Sequence, residues 1–323
     1  MYTRAFGLLA AALTVALAAT GCGKHDSGDD RIAVKAMIIT MFDPEAKPWI
    51  EKGRWSHEVS VAGMRNPVRC NDSGLCMMET DMGKANAALS TSAMLASPKL
   101  NLDNAYFITA GIAGTPPEAG TLGFAAWARY AVDIDLGHHV LPQDDPAIPN
   151  YGYLAMPKAG TEVYELDGRL VDAVYRNTKD VELADSPAAD RARAAFPGQE
   201  GHKPVVTQCD TATGDNFWSG ADSSAQTAAI VSSSTNGQGR YCTSQMEDNA
   251  TAAALARAGK LNRWVCLRTA SNFDRPRPGQ SVGDLLRGID GGADSPGFPL
   301  AVDNAYRVAS AAADYLMKHP NLD

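Results

Sequence analysis

Glu45, Glu247, Asn272 and Asp274 are the residues whose types and settings could do chemistry on a bound molecule. Glu45 closes the polar break Met41-Phe42-Asp43-Pro44-Glu45, and Glu247 follows Gln245-Met246 where a helix begins. A carboxylate in such a place can orient hydroxyls or move a proton. It can equally be a helix-start acid favoured by the helix dipole. Ser271-Asn272-Phe273-Asp274 offers an amide and a carboxyl, although Asn and Asp also favour a simple turn. Phe217 and Trp218 present flat faces to a ring, or pack in a core.

Residues 104–135 supply the backbone for such a site. The β-prone run Tyr106-Phe107-Ile108-Thr109 breaks into Ala110-Gly111-Ile112-Ala113-Gly114 and then a Pro117-containing turn. Glycine lets the main chain approach a ligand closely, so Gly111 and Gly114 are expected in a turn beneath one. The chain returns through Thr121-Leu122-Gly123 to Asp133 and Asp135, the layout of a site at strand ends. There is no GxSxG elbow and no phosphate-binding loop, and the 232–235 run has no nearby histidine. No cysteine pair has zinc spacing and His138-His139 lies beside no other ligand, so no metal is expected.

The elements that must hold these residues alternate between strand and helix. Ala33 to Thr40 reads as a buried first strand, followed by a helix from about Glu45 with Pro48 in its first turn. Residues 59–79 read as hairpin strands and Gly83 to Met94 as a helix packed on a sheet. Helices are expected over Val163 to Asn177, Ala188 to Ala195 and Ala225 to Val231, and after Asp248 to a stop at Gly259. Strands are expected at Val205-Val206, Tyr241-Cys242-Thr243 and Arg263 to Thr269, with a last amphipathic helix over Asp303 to Lys318. The class is α/β, a mixed or parallel sheet flanked by helices. Residues 32–323 form one domain on this reading, with 140–204 an elaboration.

At 323 residues, 45% hydrophobic and 20% charged, the chain has an ordinary globular composition. A net charge of −8 argues against nucleic acid or an anionic membrane surface as partner. Arg4 and the apolar stretch Phe6 to Ala19 read as a secretory signal. Leu17-Ala18-Ala19-Thr20-Gly21-Cys22 resembles a bacterial lipoprotein signal; a plain signal peptide is the alternative. The lipoprotein reading gives a signal over 1–22, a lipid on Cys22, a polar tether over 23–31 and a periplasmic or cell-envelope location. No later segment has the roughly 20 apolar residues of a membrane span, so the lipid would be the membrane contact. Export favours disulfides. Cys70 and Cys76 flank a turn and are expected to pair, Cys209 with Cys242 has no support from spacing, and Cys266 reads as a buried thiol.

Several motifs together resemble the purine nucleoside permease family, whose members resemble nucleoside phosphorylases and nucleosidases. Gly83-Lys84-Ala85-Asn86-Ala87-Ala88 resembles that family's glycine turn entering a helix, and Ala110 to Gly114 its central glycine turn. Thr213-Gly214-Asp215-Asn216-Phe217 resembles the stretch placing an aromatic residue beside the base. Gln245-Met246-Glu247 resembles its Met-Glu pair, and Ser271-Asn272 falls where relatives contact the purine. All lie in family order over about residues 33–275.

The resemblance implies a three-layer nucleoside phosphorylase-like fold and a purine nucleoside as ligand. Cleavage of the N-glycosidic bond builds positive charge on the sugar and negative charge on the leaving base. Glu247 would then hold the ribose hydroxyls beside Met246. Phe217 or Trp218 would stack on the base, Asn272 would hydrogen-bond to it, and Asp274 is the reserve proton donor. Glu45 would orient water, as in nucleosidases. With no arginine next to Gly111 or in the first loop, phosphate is not favoured as co-substrate, although Arg54, Arg65 and Arg129 could reach one in space. No other cofactor is implied. A non-catalytic nucleoside-binding protein serving a separate transporter is the alternative, and a homo-oligomer stays open.

Overall fold

A computed structural model describes residues 30–156, 159–290 and 295–322. The signal segment, Cys22 and the tether up to residue 29 lie outside them. Residues 31–323 form one contact-dense unit.

The ten-residue strand Tyr106–Thr115 is the axis of the molecule. Parallel strands flank it on both sides, Ala36–Thr40 and Trp264–Phe273. Ala36–Thr40 carries the sheet outward through parallel Leu75–Glu79 to antiparallel Val68–Cys70 and His57–Val59. Trp264–Phe273 pairs antiparallel with Ala125–Ala128. Ala125–Ala128 and the following Tyr130–Asp133 pair with Val206–Gln208 and Asp210–Thr213. Asp210–Thr213 pairs with Tyr241–Gln245, which meets the central strand again at Ser244 opposite Gly114. The pairings therefore close on themselves around the central strand. Ala36–Thr40 is buried at every position, as expected for a strand covered on both faces.

Helices flank this mixed sheet. Gly297–Lys318 packs on the central strand and on Trp264–Phe273, together with Asp43–Lys52 and Gly168–Thr178. Lys84–Leu95 packs with Asp248–Arg257. Alanine-rich faces such as Ala301, Ala305, Val308, Ala309 and Ala312 let the long C-terminal helix lie close to the sheet.

Gly111 and Gly114 are in the central strand, not in a turn, because Arg268 and Asn272 pair with them in register. The turn comes later, where Ala119 and Gly120 donate to the Pro116 carbonyl. Val163–Glu165 is a strand; the helix starts only at Gly168, where the Asp167 carboxylate accepts from Arg169 and Leu170. Pro44 occupies the first turn of Asp43–Lys52, and Pro48 sits inside that helix. Ser271 to Phe273 extend a strand, with a register shift between Ala270 and Asn272. The helix expected at Ala225 runs over Ala221–Ser234, and the last begins at Gly297.

Cys70 and Cys76 are bonded across the Val68–Cys70/Leu75–Glu79 hairpin. Cys209 and Cys242 form a second disulfide, with Cα atoms 5.9 Å apart, that spacing in sequence gave no reason to expect. Cys266 is a buried free thiol. Peptide mapping without reductant should recover the 70–76 and 209–242 pairs, with Cys266 alkylated only after unfolding. Alkylation of Cys266 in the native protein would contradict the packing described.

Candidate functional site

Residues that follow strand ends converge on one cavity of about 580 Å³. Met41 follows Ala36–Thr40, Gly214 follows Asp210–Thr213, Met246 follows Tyr241–Gln245 and Asp274 follows Trp264–Phe273. Of the residues singled out from sequence, Glu45, Gly114, Phe217, Trp218, Met246, Glu247, Asn272 and Asp274 all line it. Gly111 lies just behind. A Cβ there would come 2.0 Å from the Met41 methyl and 2.8 Å from Arg268 Nη1, so any larger residue would displace both side chains from these positions.

Glu247 stands at the start of Asp248–Arg257 but does not cap it. The Gln245 amide oxygen does so, accepting from the Glu247 and Asp248 N–H groups at 2.7 and 2.9 Å. The Glu247 carboxylate is thereby released toward the cavity. Its Oε1 accepts from the Gly83 N–H at 3.0 Å and its Oε2 from Arg268 Nη2 at 3.1 Å. Burial raises its pKa, against the opposing pull of Arg268 and the Gly83 hydrogen bond.

Glu45 bridges two elements. Its Oε2 accepts from the Met41 N–H and its Oε1 from the Ile112 N–H, each at 2.8 Å. The first contact is local, to the residue two ahead of the helix; the second reaches 67 residues away to the central strand. Burial pushes its pKa up to about 8, with Arg268 and the Ile112 bond opposing. Burial thus raises the pKa of both cavity carboxylates, and a raised carboxyl is one suited to proton transfer.

Arg268 is the residue that sequence reasoning missed. It is 2% exposed and forks onto Asp248, with Nε at 3.1 and 3.0 Å from its two oxygens and Nη2 at 2.7 Å. Its Nη1 donates to the Ile112 carbonyl at 2.9 Å. The two acids raise its pKa despite burial. The signal was present: a charge at the end of the apolar run Trp264-Val265-Cys266-Leu267 must have a buried partner. An arginine therefore does stand beside Gly111 in space, although none does in sequence. Asp248 and Glu247 occupy it. Arg54, Arg65 and Arg129 do not line the cavity; Arg65 faces Asp81 and Arg129 faces Asp172.

At the other side of the cavity, the Asn272 amide donates to the Phe273 carbonyl at 3.0 Å and accepts from the Ser271 hydroxyl at 2.8 Å. Asp274 is buried, and burial raises its pKa. Its carboxylate accepts from Ser224 at 2.6 Å, Tyr241 at 3.1 Å and Arg275 at 2.9 Å. Phe217 is 54% exposed at the cavity, so it is no core residue. Trp218 packs partly against the cluster of Tyr130, Val132 and Ile134.

Comparison with known proteins places these observations. A family profile described as purine nucleoside permease matches residues 33–321. A probable purine nucleoside permease of Schizosaccharomyces pombe is 35% identical over 318 residues, covering 88% of this chain and 89% of that one. Among solved structures, a 5′-methylthioadenosine/S-adenosylhomocysteine nucleosidase from Colwellia psychrerythraea, in complex with adenine, superposes with a TM-score of 0.58 at 16% identity. It covers 88% of this chain and 96% of its own. Futalosine hydrolase of Helicobacter pylori superposes with a TM-score of 0.57 at 15% identity, covering 87% and 98%. At such identities the likeness is one of fold, the nucleoside phosphorylase-like mixed α/β architecture.

The raised Glu45 pKa has a consequence for stability. Between pH 4.5 and about 8 the folded protein retains a proton that the unfolded chain has lost, so stability falls as pH rises across that window. Glu45→Gln removes the titration, and the pH dependence of its chemical denaturation should be flatter from pH 5 to 8. Parallel curves for the two proteins would contradict the burial of this carboxyl.

Proposed function

The chain belongs to the purine nucleoside permease family, and on that premise we propose that it binds a purine nucleoside in this cavity and hydrolyses the N-glycosidic bond. The observation that carries the proposal is the pair of buried carboxylates, Glu45 and Glu247, facing one cavity on either side of Arg268. Glu247 in contact with the guanidinium holds the ribose hydroxyls and offsets charge developing on the sugar. Glu45, once ionised, takes the proton of an attacking water. Asn272 donates to the base as it gathers negative charge, and Phe217 stacks on it. The engagement of Arg268 by Asp248 and Glu247 supports water over phosphate as nucleophile, since a phosphate site needs cationic donors to spare.

One observation favours a binding protein instead. The Asn272 amide cannot protonate a leaving base, and the Asp274 carboxylate is already met by three donors. On that reading the chain presents nucleosides to a separate transporter. In either case the signal and the Cys22 lipid would place it on the envelope, with the base or the nucleoside as what is handed on. No helix among the described residues is long and apolar enough to cross a membrane.

Chromatography of inosine, adenosine and guanosine incubated with the purified protein, with and without phosphate, separates these readings. Base release independent of phosphate is expected, and binding without release in both buffers would leave the binding protein. Glu247→Ala should abolish binding or cleavage with the fold intact, as read by circular dichroism. Glu45→Gln should lower kcat by about 10²–10⁴-fold, the usual range for a general base. For the native protein, kcat/KM should rise with pH and level off above about 8, where Glu45 is ionised. A pH-independent rate would remove Glu45 from the mechanism.

A further inference from the structure

Lys84, Asp133 and Asp135 form a charged cluster outside the cavity wall that the proposed chemistry does not use. Lys84 Nζ lies 3.2 Å from both oxygens of Asp133 and 3.0 Å from Asp135 Oδ2, and the lysine side chain is 21% exposed. Burial works against its charge, but the two carboxylates outweigh it and raise its pKa. Asp133 Oδ1 also accepts from the N–H groups of Asp135 and Leu136, which fixes the acids relative to each other.

Two arms run from this cluster to the site. The Lys84 N–H donates to Asp215 Oδ1 at 2.8 Å, and the Asp215 N–H donates to Asp135 Oδ2 at 2.6 Å. Asp215 follows Gly214 at the root of the segment carrying Asn216, Phe217 and Trp218 into the cavity. One residue before Lys84, the Gly83 N–H donates to Glu247. Gly83 has φ +92, a conformation strained for any residue with a Cβ, so it takes a glycine to turn both N–H groups this way.

We propose that Lys84 is a positioning residue for the nucleoside site, its ammonium clamping Asp133 and Asp135 so that the Gly83 N–H is aimed at Glu247 while Asp215 holds the aromatic segment in place. The inference rests on the nucleoside reading above. It assigns one lysine control over two separate contacts, the acceptor for the sugar hydroxyls and the stacking face for the base. An ion pair serving stability alone would not couple them.

The test uses the full chain with inosine, measuring Kd by calorimetry, KM and kcat where base is released, and hydrogen exchange of a peptide spanning 214–220. Lys84→Met should raise Kd or KM about tenfold or more with kcat changed less than about threefold, the split expected when binding common to the ground and transition states is lost. It should also speed exchange in 214–220. Lys84→Arg, which keeps the charge, should recover most of the affinity. Asp215→Ala should speed the same exchange and weaken binding while leaving Lys84 paired. A Lys84→Met protein that binds as the native one does, or that only melts at a lower temperature, overturns the proposal. Should that variant fail to fold, unchanged affinity and exchange in Asp215→Ala overturn it. Failure of the native protein to bind inosine removes the nucleoside reading and the proposal together; native binding matched by the variants removes the proposal alone.

Discussion

The buried charge of Arg268 is the constraint on which the rest of the site depends. A guanidinium taken out of water costs several kcal/mol unless it is matched in place, and Asp248 matches it through a two-pronged contact at the start of a helix. That fixes the helix relative to the strand next to the central one. Glu247, the residue before Asp248, is carried with it and takes a share of the same guanidinium. Glu45 receives only the more distant influence of the charge and two main-chain donors. Burial raises the pKa of both cavity carboxylates, and the guanidinium opposes that rise in each. Breaking the Arg268–Asp248 contact would leave an unmatched buried ion, so the pair works as a unit.

Glycine in the central strand makes the arrangement sterically feasible. Gly111 gives Met41 and Arg268 their room, and Gly114 lies opposite Ser244 and beside the Asn272 amide, whose atoms would stand 3.0 and 3.3 Å from a Cβ. The strand loses side-chain packing at these two positions. It keeps its order because neighbours hydrogen-bond to it on both sides. Close approach and regular pairing are thus combined in one element.

Much of this was legible in the sequence. The apolar run at Ala36–Thr40, the small-residue helix at Lys84–Leu95 and the helix stop at Gly259 follow from local patterning, and the motif order pointed to the fold. Of the residues named for the site, all but Gly111 line one cavity. What local pattern could not give was partnership at a distance. Arg268 finds Ile112 at a separation of 156 residues, and Cys209 finds Cys242 at 33. The glycines of the central strand were misread as a turn because a lone strand with two glycines does resemble a break; its neighbours' register prevents one. Glu247 carried a helix-start pattern, and only the Gln245 cap shows why its carboxylate is free to face elsewhere.

The register of the central strand also bears on how the molecule forms. Tyr106–Thr115 is held between a strand from the first fifth of the chain and one from the last quarter. Contacts of such long sequence separation must overcome large loop-closure entropy before they return anything, which makes folding slow. The cavity takes its lining from Met41 through to Phe298, so it is complete only when segments far apart in the chain have met across the sheet. A ligand that fits only the finished cavity shifts the whole equilibrium toward the native chain, by RT ln(1 + [L]/Kd).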